Sequence, residues 1–524
     1  MRVKNKPDPA QTTPGMAIGL RRYLYFTAAT TGAAVMIVEI LGAKMLSPYL
    51  GTSHFVWTAQ IAVTLVALAC GYYLGGTLVD RSLNLGKLYA GILAAGLYLA
   101  VTVAIREPVA YGCLKYDLAA GSLLASTFLF FVPLCLLAMV GPFLVRVLTL
   151  SVQNVGGNVG RLTALSTLGS FAGTILIGYV LIPLLPNSMT MYLTALTLML
   201  LAAAYFFGVR GARRRGATIV LLILAGGGIG YLGVAGDRWA GKQSTEIFRA
   251  NSNFGLLQVI QLNDNPERDY LNDYLIQNTY DTNEQKSVSL FTFMLHGLAK
   301  VYTTNIEDVL CIGMGVGIVP MEFVREGARV DVAEINPAVV PVARDFFGLQ
   351  PEKLNLALTD GRYFLNQTKK QYDAIILDAF LGDSSPSHLM TREAFASMRR
   401  ALRPGGVLVI NTFAVLEGDH DFFGASLFKT LQSVFPSVLI HSGRYGNTLF
   451  VASPKHELKF IRQPDYSQVH PRALEQVRET YWRLREPHPD HGRVLTDDYN
   501  PVEFYDAVNR ESTRKSLADH VKSL

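Results

Sequence analysis

Cysteine is nearly absent, with four in 524 residues, at Cys70, Cys113, Cys135 and Cys311. Two lie in apolar runs, one in a short loop and one in an apolar strand, so neither a disulfide framework nor a metal-ligand set is expected. Charge is scarce as well, at 17% of residues, against roughly 25% in an ordinary soluble chain. The net charge of +6 comes mostly from short connecting loops, so it reports membrane orientation and gives no basic face for a nucleic-acid partner. Apolar runs of about 20 residues, the length that crosses a bilayer core, are missing from one half only. None follows residue 240, whereas seven precede it, at about 24–47, 55–79, 86–105, 119–145, 162–186, 189–208 and 217–236. The fourth carries Pro133 and Pro142, which a membrane helix tolerates when neighbours satisfy the freed carbonyl groups. The first run is long and has no small-residue cleavage pattern close behind it, so it is expected to stay as an anchor.

Lys and Arg in short loops settle on the cytoplasmic side of a membrane. One set of loops holds Arg2, Lys4, Lys6, Arg21 and Arg22, then Arg81 and Lys87, Arg146 and Arg161, and Arg210, Arg213, Arg214 and Arg215. The opposite set holds Lys44, Arg106 and Lys115. This pattern predicts a multi-pass inner-membrane protein with a cytoplasmic amino terminus. An odd number of spans then places the rest of the chain on the extracytoplasmic side. Glu39 and Lys44 in and near the first span are five positions apart, off one helical face, so no intrahelical pair is expected.

After residue 245 the pattern changes. Leu256–Leu262 and Tyr274–Gln277 read as a small antiparallel sheet, separated by the polar turn Asn263-Asp264-Asn265-Pro266, and a helix is expected at about 284–300. Strands at 308–312, 329–333, 354–358, 372–377 and 406–411 alternate with helices at 317–326, 337–346, 361–368 and 391–402. That alternation predicts a doubly wound, mostly parallel sheet, with ligands beyond the carboxyl ends of its strands. The first strand runs into Gly313-Met314-Gly315-Val316-Gly317, and the second ends at Glu334, about 20 residues on. Glycines there let backbone approach a nucleoside, and the carboxylate can accept from ribose hydroxyls. The reading divides the chain into a tail (1–22), a membrane domain of about seven helices (23–237), a small β-rich subdomain with its helix (245–300) and a Rossmann-like nucleoside-binding domain (301–510).

The glycine loop, Ala333-Glu334-Ile335-Asn336, Thr359-Asp360-Gly361-Arg362-Tyr363-Phe364, Tyr372 to Asp378 and Leu402-Arg403-Pro404-Gly405-Gly406 together resemble the spermidine synthase (polyamine aminopropyltransferase) family. Val38-Glu39-Ile40-Leu41, Pro48-Tyr49-Leu50-Gly51, Gly71 to Gly76 and Asp80-Arg81 are similar to the multi-span regions fused to such domains in bacteria. The resemblance implies an α-helical transmembrane bundle followed by a Rossmann-like methyltransferase/spermidine-synthase domain with a small N-terminal β-sheet. It implies decarboxylated S-adenosylmethionine as co-substrate, a small-molecule amine as acceptor, no metal, and pairing into a homodimer through the small β-domain. Residue by residue, Gly313, Gly315 and Gly317 form the nucleoside loop, Glu334 binds ribose, Asp360 and Gly361 meet the adenine edge, and Asp378 accepts the proton. An alkylamine with a pKa near 10.4 is protonated at neutral pH and has no lone pair to attack with, so a base is the chemical minimum.

The amine half departs from the family pattern. Val316 stands where an acidic residue is usual, Leu381 stands where a second Asp is usual, with Asp383 the nearest carboxylate, and Ser289-Leu290 align with the usual Tyr-Gln pair. This leaves open S-adenosylmethionine itself as a methyl donor, or a non-catalytic membrane protein that keeps the fold for binding or transport. Asp378 reads as a base or an N-cap, Asp383 as chemical or connecting, and His388 and His296 as loop and packing residues. Leu495 to Pro501, with Asp497 and Asp498, resembles a closing segment whose carboxylates either line the acceptor pocket or form a solvated turn.

Overall fold

The computed structural model describes residues 16–51, 53–149, 155–208, 216–236, 243–380, 386–443, 447–488, 490–505, 509 and 514. Seven helices long and apolar enough to cross a bilayer come first: Ile18–Leu50, His54–Arg81, Leu85–Cys113, Leu118–Leu148, Val155–Leu184, Asn187–Gly208 and Gly216–Ala235. Each covers one of the apolar runs. Cys113, expected in a loop, is the last residue of the third helix. The stretches Thr127–Phe131 and Ile177–Leu181 widen into π-helix just ahead of Pro133 and Pro183; the wider turn absorbs the proline ring and its missing N–H. Pro142 falls in the first turn of the segment Val140–Leu148, where no amide hydrogen bond is lost. Phe171, Tyr179, Leu221 and Leu232 point outward, each more than 60% exposed.

A five-stranded antiparallel sheet follows, of order β1-β2-β3-β4-β5, built from β1 (Ser244–Ser252), β2 (Gly255–Leu262), β3 (Glu267–Asn272), β4 (Leu275–Asp281) and β5 (Lys286–Ser287). Only β2 and part of β4 were legible as strands. Glu246 and Arg249 in β1, and Glu267, Arg268 and Asp269 in β3, break the apolar alternation that marks a strand. Asp273 (φ 47°) and Tyr274 (φ 63°) close the β3–β4 hairpin, the two-residue positive-φ geometry that suits strand twist. The helix expected from 284 begins at Leu290, because Lys286 and Ser287 pair with β4 first.

The larger sheet has the order β13-β11-β12-β10-β9-β6-β7-β8. Its parallel part is β6 (Asp308–Ile312), β7 (Arg329–Glu334), β8 (Asn355–Leu358), β9 (Tyr372–Leu377) and β10 (Leu402–Thr412), with β11 (Ser437–Ser442), β12 (Thr448–Ser453) and β13 (Leu484–Arg485) added antiparallel. Val309 and Cys311 enter the core on one face with the helix Leu290–Tyr302, and Leu310 and Ile312 enter the core on the other with the helix Arg392–Ala401. Burial on both faces is why β6 reads as an unbroken apolar run.

The two halves touch. Lys44 Nζ donates to the Asn253 carbonyl (3.2 Å), Asn251 Nδ2 to the Leu185 carbonyl (2.6 Å) and Arg514 to the Pro48 carbonyl (2.9 Å). His54 faces Glu503 at 3.3 Å, and the rings of Tyr49 and Tyr274 lie 5.9 Å apart. These contacts all fall at the bundle end where the first and fifth helices finish and the second begins.

Candidate active site

A cavity of about 700 Å³ lies beyond the carboxyl ends of β6, β7 and β9, walled on its far side by the small sheet. Strand geometry delivers its polar groups. Each parallel strand stops at the same edge, so the residue after it faces one shared space. Gly313, Gly315, Glu334, Asp360, Gly361 and Asp378 all line this cavity. Gly317 does not; at φ 82° it turns the chain into the helix Ile318–Arg325 and packs on Leu349. Asp383 and Leu381 lie outside the described residues.

Gly313 has φ 85°, and a Cβ there would sit 2.3 Å from the Asp378 carbonyl oxygen. The glycine loop is thus pressed against the end of β9, an approach only glycine allows. Gly315 has φ 52° with nothing within 4 Å of its Cβ position, which leaves bare backbone facing open space. Glu334 Oε2 accepts from the Met314 amide (2.9 Å) and Oε1 from the Asn336 amide (2.7 Å). It therefore clamps the loop while keeping lone pairs free for a ligand. Burial raises its carboxyl above the ordinary range, against the pull of those amides.

Asp360 caps the helix Gly361–Gln367, its Oδ1 accepting from the Tyr363 amide (2.9 Å), and its Oδ2 meets His388 Nε2 at 2.9 Å. Burial pushes this carboxyl up, but the Tyr363 amide and His388 outweigh it and hold it below the usual range. His388, expected as a loop or packing residue, lines the cavity as the partner of Asp360. His296 packs edge-on to Phe323 and faces Glu326 at 3.2 Å, away from the site. Burial pushes the Cys311 thiol up, so it carries no thiolate character.

Asp378 follows β9, and its amide is held by the Ile312 carbonyl at 3.0 Å. Its Oδ1 accepts from Asn411 Nδ2 at 2.8 Å. Burial pushes its carboxyl up to about 6, the Asn411 bond opposes that, and the nearby Glu334 charge adds to it. A carboxyl poised near neutrality and facing a cavity suits proton transfer better than capping.

Val316 also lines the cavity, 3% exposed. The small sheet brings two buried carboxylates that motif reading missed. Glu267 pairs with Arg472, and Asp269 accepts from Thr279 Oγ1 at 2.6 Å. Asp497 is absent from the lining. It sits in an exposed turn closed between Thr496 and Tyr499 and joins Arg362 (2.9 Å) and Thr391 (2.6 Å), so the closing segment is a solvated turn, as expected, that also ties across the rim.

The Spermine/spermidine synthase domain matches residues 289–440. The chain is 30% identical over 208 residues to the polyamine aminopropyltransferase of Vibrio vulnificus, covering 37% of this chain and 69% of that one. It is 32% identical over 148 residues to the N-terminal histidine N-methyltransferase of Emericella nidulans, covering 27% of this chain and 25% of that one. Spermidine synthase from Thermotoga maritima aligns in structure at 18% identity, with a TM-score of 0.35 over 52% of this chain and 87% of that one. The chain belongs to the spermidine synthase family, and the part that follows its seven apolar helices is a transferase domain of the polyamine aminopropyltransferase type.

Proposed function

We propose that this protein is an integral-membrane aminopropyltransferase that moves the aminopropyl group of decarboxylated S-adenosylmethionine onto an amine. The observation that carries this reading is Asp378, poised near neutrality in one cavity with Gly315, Glu334 and Asp360. Glu334 would hold the ribose hydroxyls, Asp360 and Gly361 the adenine edge, and Asp378, with Asp383 as a second candidate, the acceptor's proton. The acceptor ammonium gives its proton to the base and the freed lone pair attacks the carbon beside the sulfonium. The C–S bond breaks, its electron pair stays on sulfur, and neutral methylthioadenosine leaves. Holding both reactants in line supplies much of the remaining rate.

Purified full-length protein given decarboxylated S-adenosylmethionine and a panel of primary amines is expected to release methylthioadenosine. At saturating amine, kcat is expected to rise about tenfold per pH unit up to about pH 6 and level off above it, as Asp378 ionises. Absence of release with every amine sinks the reading. Val316 in the amine half favours a second reading, methyl transfer from S-adenosylmethionine. Tighter calorimetric binding of S-adenosylmethionine than of its decarboxylated form supports that alternative.

The chain divides in this reading into a membrane domain (23–237) in the bilayer and a catalytic part on its extracytoplasmic side. Its support is the alternation of Arg and Lys between loops, together with the contacts of Lys44, Leu185 and His54 to the later domain. A reporter active on one side only, fused after residue 240, is expected to report the outer side. A cytoplasmic signal removes this topology.

A further inference from the structure

Three strands set three side chains in a row beside the cavity. β9 and β10 run parallel with Leu377 opposite Ile410, so Asn411 follows next to Asp378. β10 and β12 run antiparallel with Asn411 opposite Leu449 and Thr412 opposite Thr448, so Asn447, two residues before Leu449, lies diagonally across from Asn411 on the same face of the sheet. Thr412 Oγ1 to the Thr448 carbonyl (3.0 Å) and Thr448 Oγ1 to the Ala414 carbonyl (2.9 Å) lock that crossing. Asn447 Nδ2 donates to Asn411 Oδ1 at 2.8 Å, and Asn411 Nδ2 donates to Asp378 Oδ1 at 2.8 Å. Asn411 is 3% exposed and Asn447 9% exposed.

An amide group is asymmetric: its oxygen only accepts and its nitrogen only donates. Because Asn447 presents a donor, Asn411 must turn its oxygen that way, which leaves its NH₂ group facing Asp378. A donor there favours a negative carboxylate oxygen and disfavours a proton on it. We infer that Asn447 and Asn411 are positioning residues for the transfer reaction, an amide relay that reserves one oxygen of Asp378 for the relay and leaves the other as the proton acceptor facing the amine. The inference rests on the aminopropyl-transfer reading for its kinetic consequence, although the relay itself has a readout without turnover.

The groups facing Asp378 are Glu334 from β7, the neutral Cys311 thiol from β6, and Asp360 and His388 across the cavity. Asp269 and the Glu267–Arg472 pair stand on the opposite wall. None of these changes when the relay is cut, so a shift in the titration of Asp378 reports the relay.

The test uses full-length protein and two readouts. One is the pH midpoint of kcat at saturating amine. The other is the infrared carboxyl band that Asp378→Asn removes, titrated without substrate. Asn411→Leu is expected to raise both midpoints by about 1–2 pH units, the worth of a hydrogen bond to a charged group. Asn447→Leu is expected to raise them less, because Asn411 then rotates freely but keeps its NH₂ group. The double variant is expected to match Asn411→Leu alone, since Asn447 acts only through Asn411. Unmoved midpoints in a folded variant, or additive shifts, overturn the relay. If Asn411→Leu fails to fold, Asn447→Leu decides by the same midpoint. Should the wild type turn over no amine, the transfer reading fails while the infrared titration still tests the relay.

Discussion

Asp378→Asn is expected to lower methylthioadenosine release by roughly 10²- to 10⁴-fold, the usual worth of a positioned general base. Donor affinity should be nearly unchanged, because Glu334 and Asp360 stay in place. The same substitution is expected to move stability in the opposite direction. The carboxyl of Asp378 is raised to about 6 in the folded chain, above the unfolded value of about 3.9. Its favourable contribution is therefore complete below about pH 4 and disappears as pH rises through 6. At pH 7 the folded chain holds a buried charge at a penalty on the order of 2–3 kcal/mol, which asparagine removes while still accepting from Asn411. Melting curves should show the variant more stable than wild type at pH 7–8 and equal to it near pH 4. A variant no more stable at neutral pH, yet inactive, would point to a distorted site and not to a missing base.

Gly313→Ala is expected to have the second largest effect, a fall in kcat of about 10²-fold, the order that follows from misplacing a reacting group by about 1 Å. The new methyl group would meet the Asp378 carbonyl oxygen at 2.3 Å, at a φ of 85°, where an alanine is strained by roughly 1–2 kcal/mol. Either the loop or the end of β9 must move, and both carry the site. Gly315→Ala is the contrasting control. Its φ of 52° is also left-handed, but no protein atom lies within 4 Å of the new carbon, which would instead project into ligand space. It should raise the donor KM more than it lowers kcat. Equal loss of kcat in both variants would show that the loop acts as one strained unit and not as two separate contacts.

The bundle was legible because each of its helices is written as one long apolar run. The strands β6, β7, β9 and β10 were legible because both of their faces are largely buried. β3 was hidden by the site itself: Glu267 and Asp269 face the cavity, so the strand that carries them loses its alternation, whereas β1 is broken by the Glu246–Arg249 ion pair. Asn411 and Asn447 were invisible for another reason. They are brought together by strand register, and nothing in the local sequence of either announces the other. Gly317 was grouped with the ligand loop because spacing cannot tell a glycine that faces a nucleoside from one that turns into a helix. His388 and Asp360, likewise, are joined by a tertiary contact across 28 positions.

The closing segment joins two places far apart in sequence. Asp497 holds Arg362 and Thr391, Asn500 Nδ2 donates to the Ser387 carbonyl at 2.8 Å, and Glu503 reaches His54 at the head of the second helix. The rim that carries His388 is thereby moored to the bundle of apolar helices. A fragment beginning near residue 243 would retain every residue of the cavity and lose that mooring. Its kinetic constants would describe a catalyst with an unanchored rim, and changes in bilayer thickness or detergent would register in turnover only when the chain is whole.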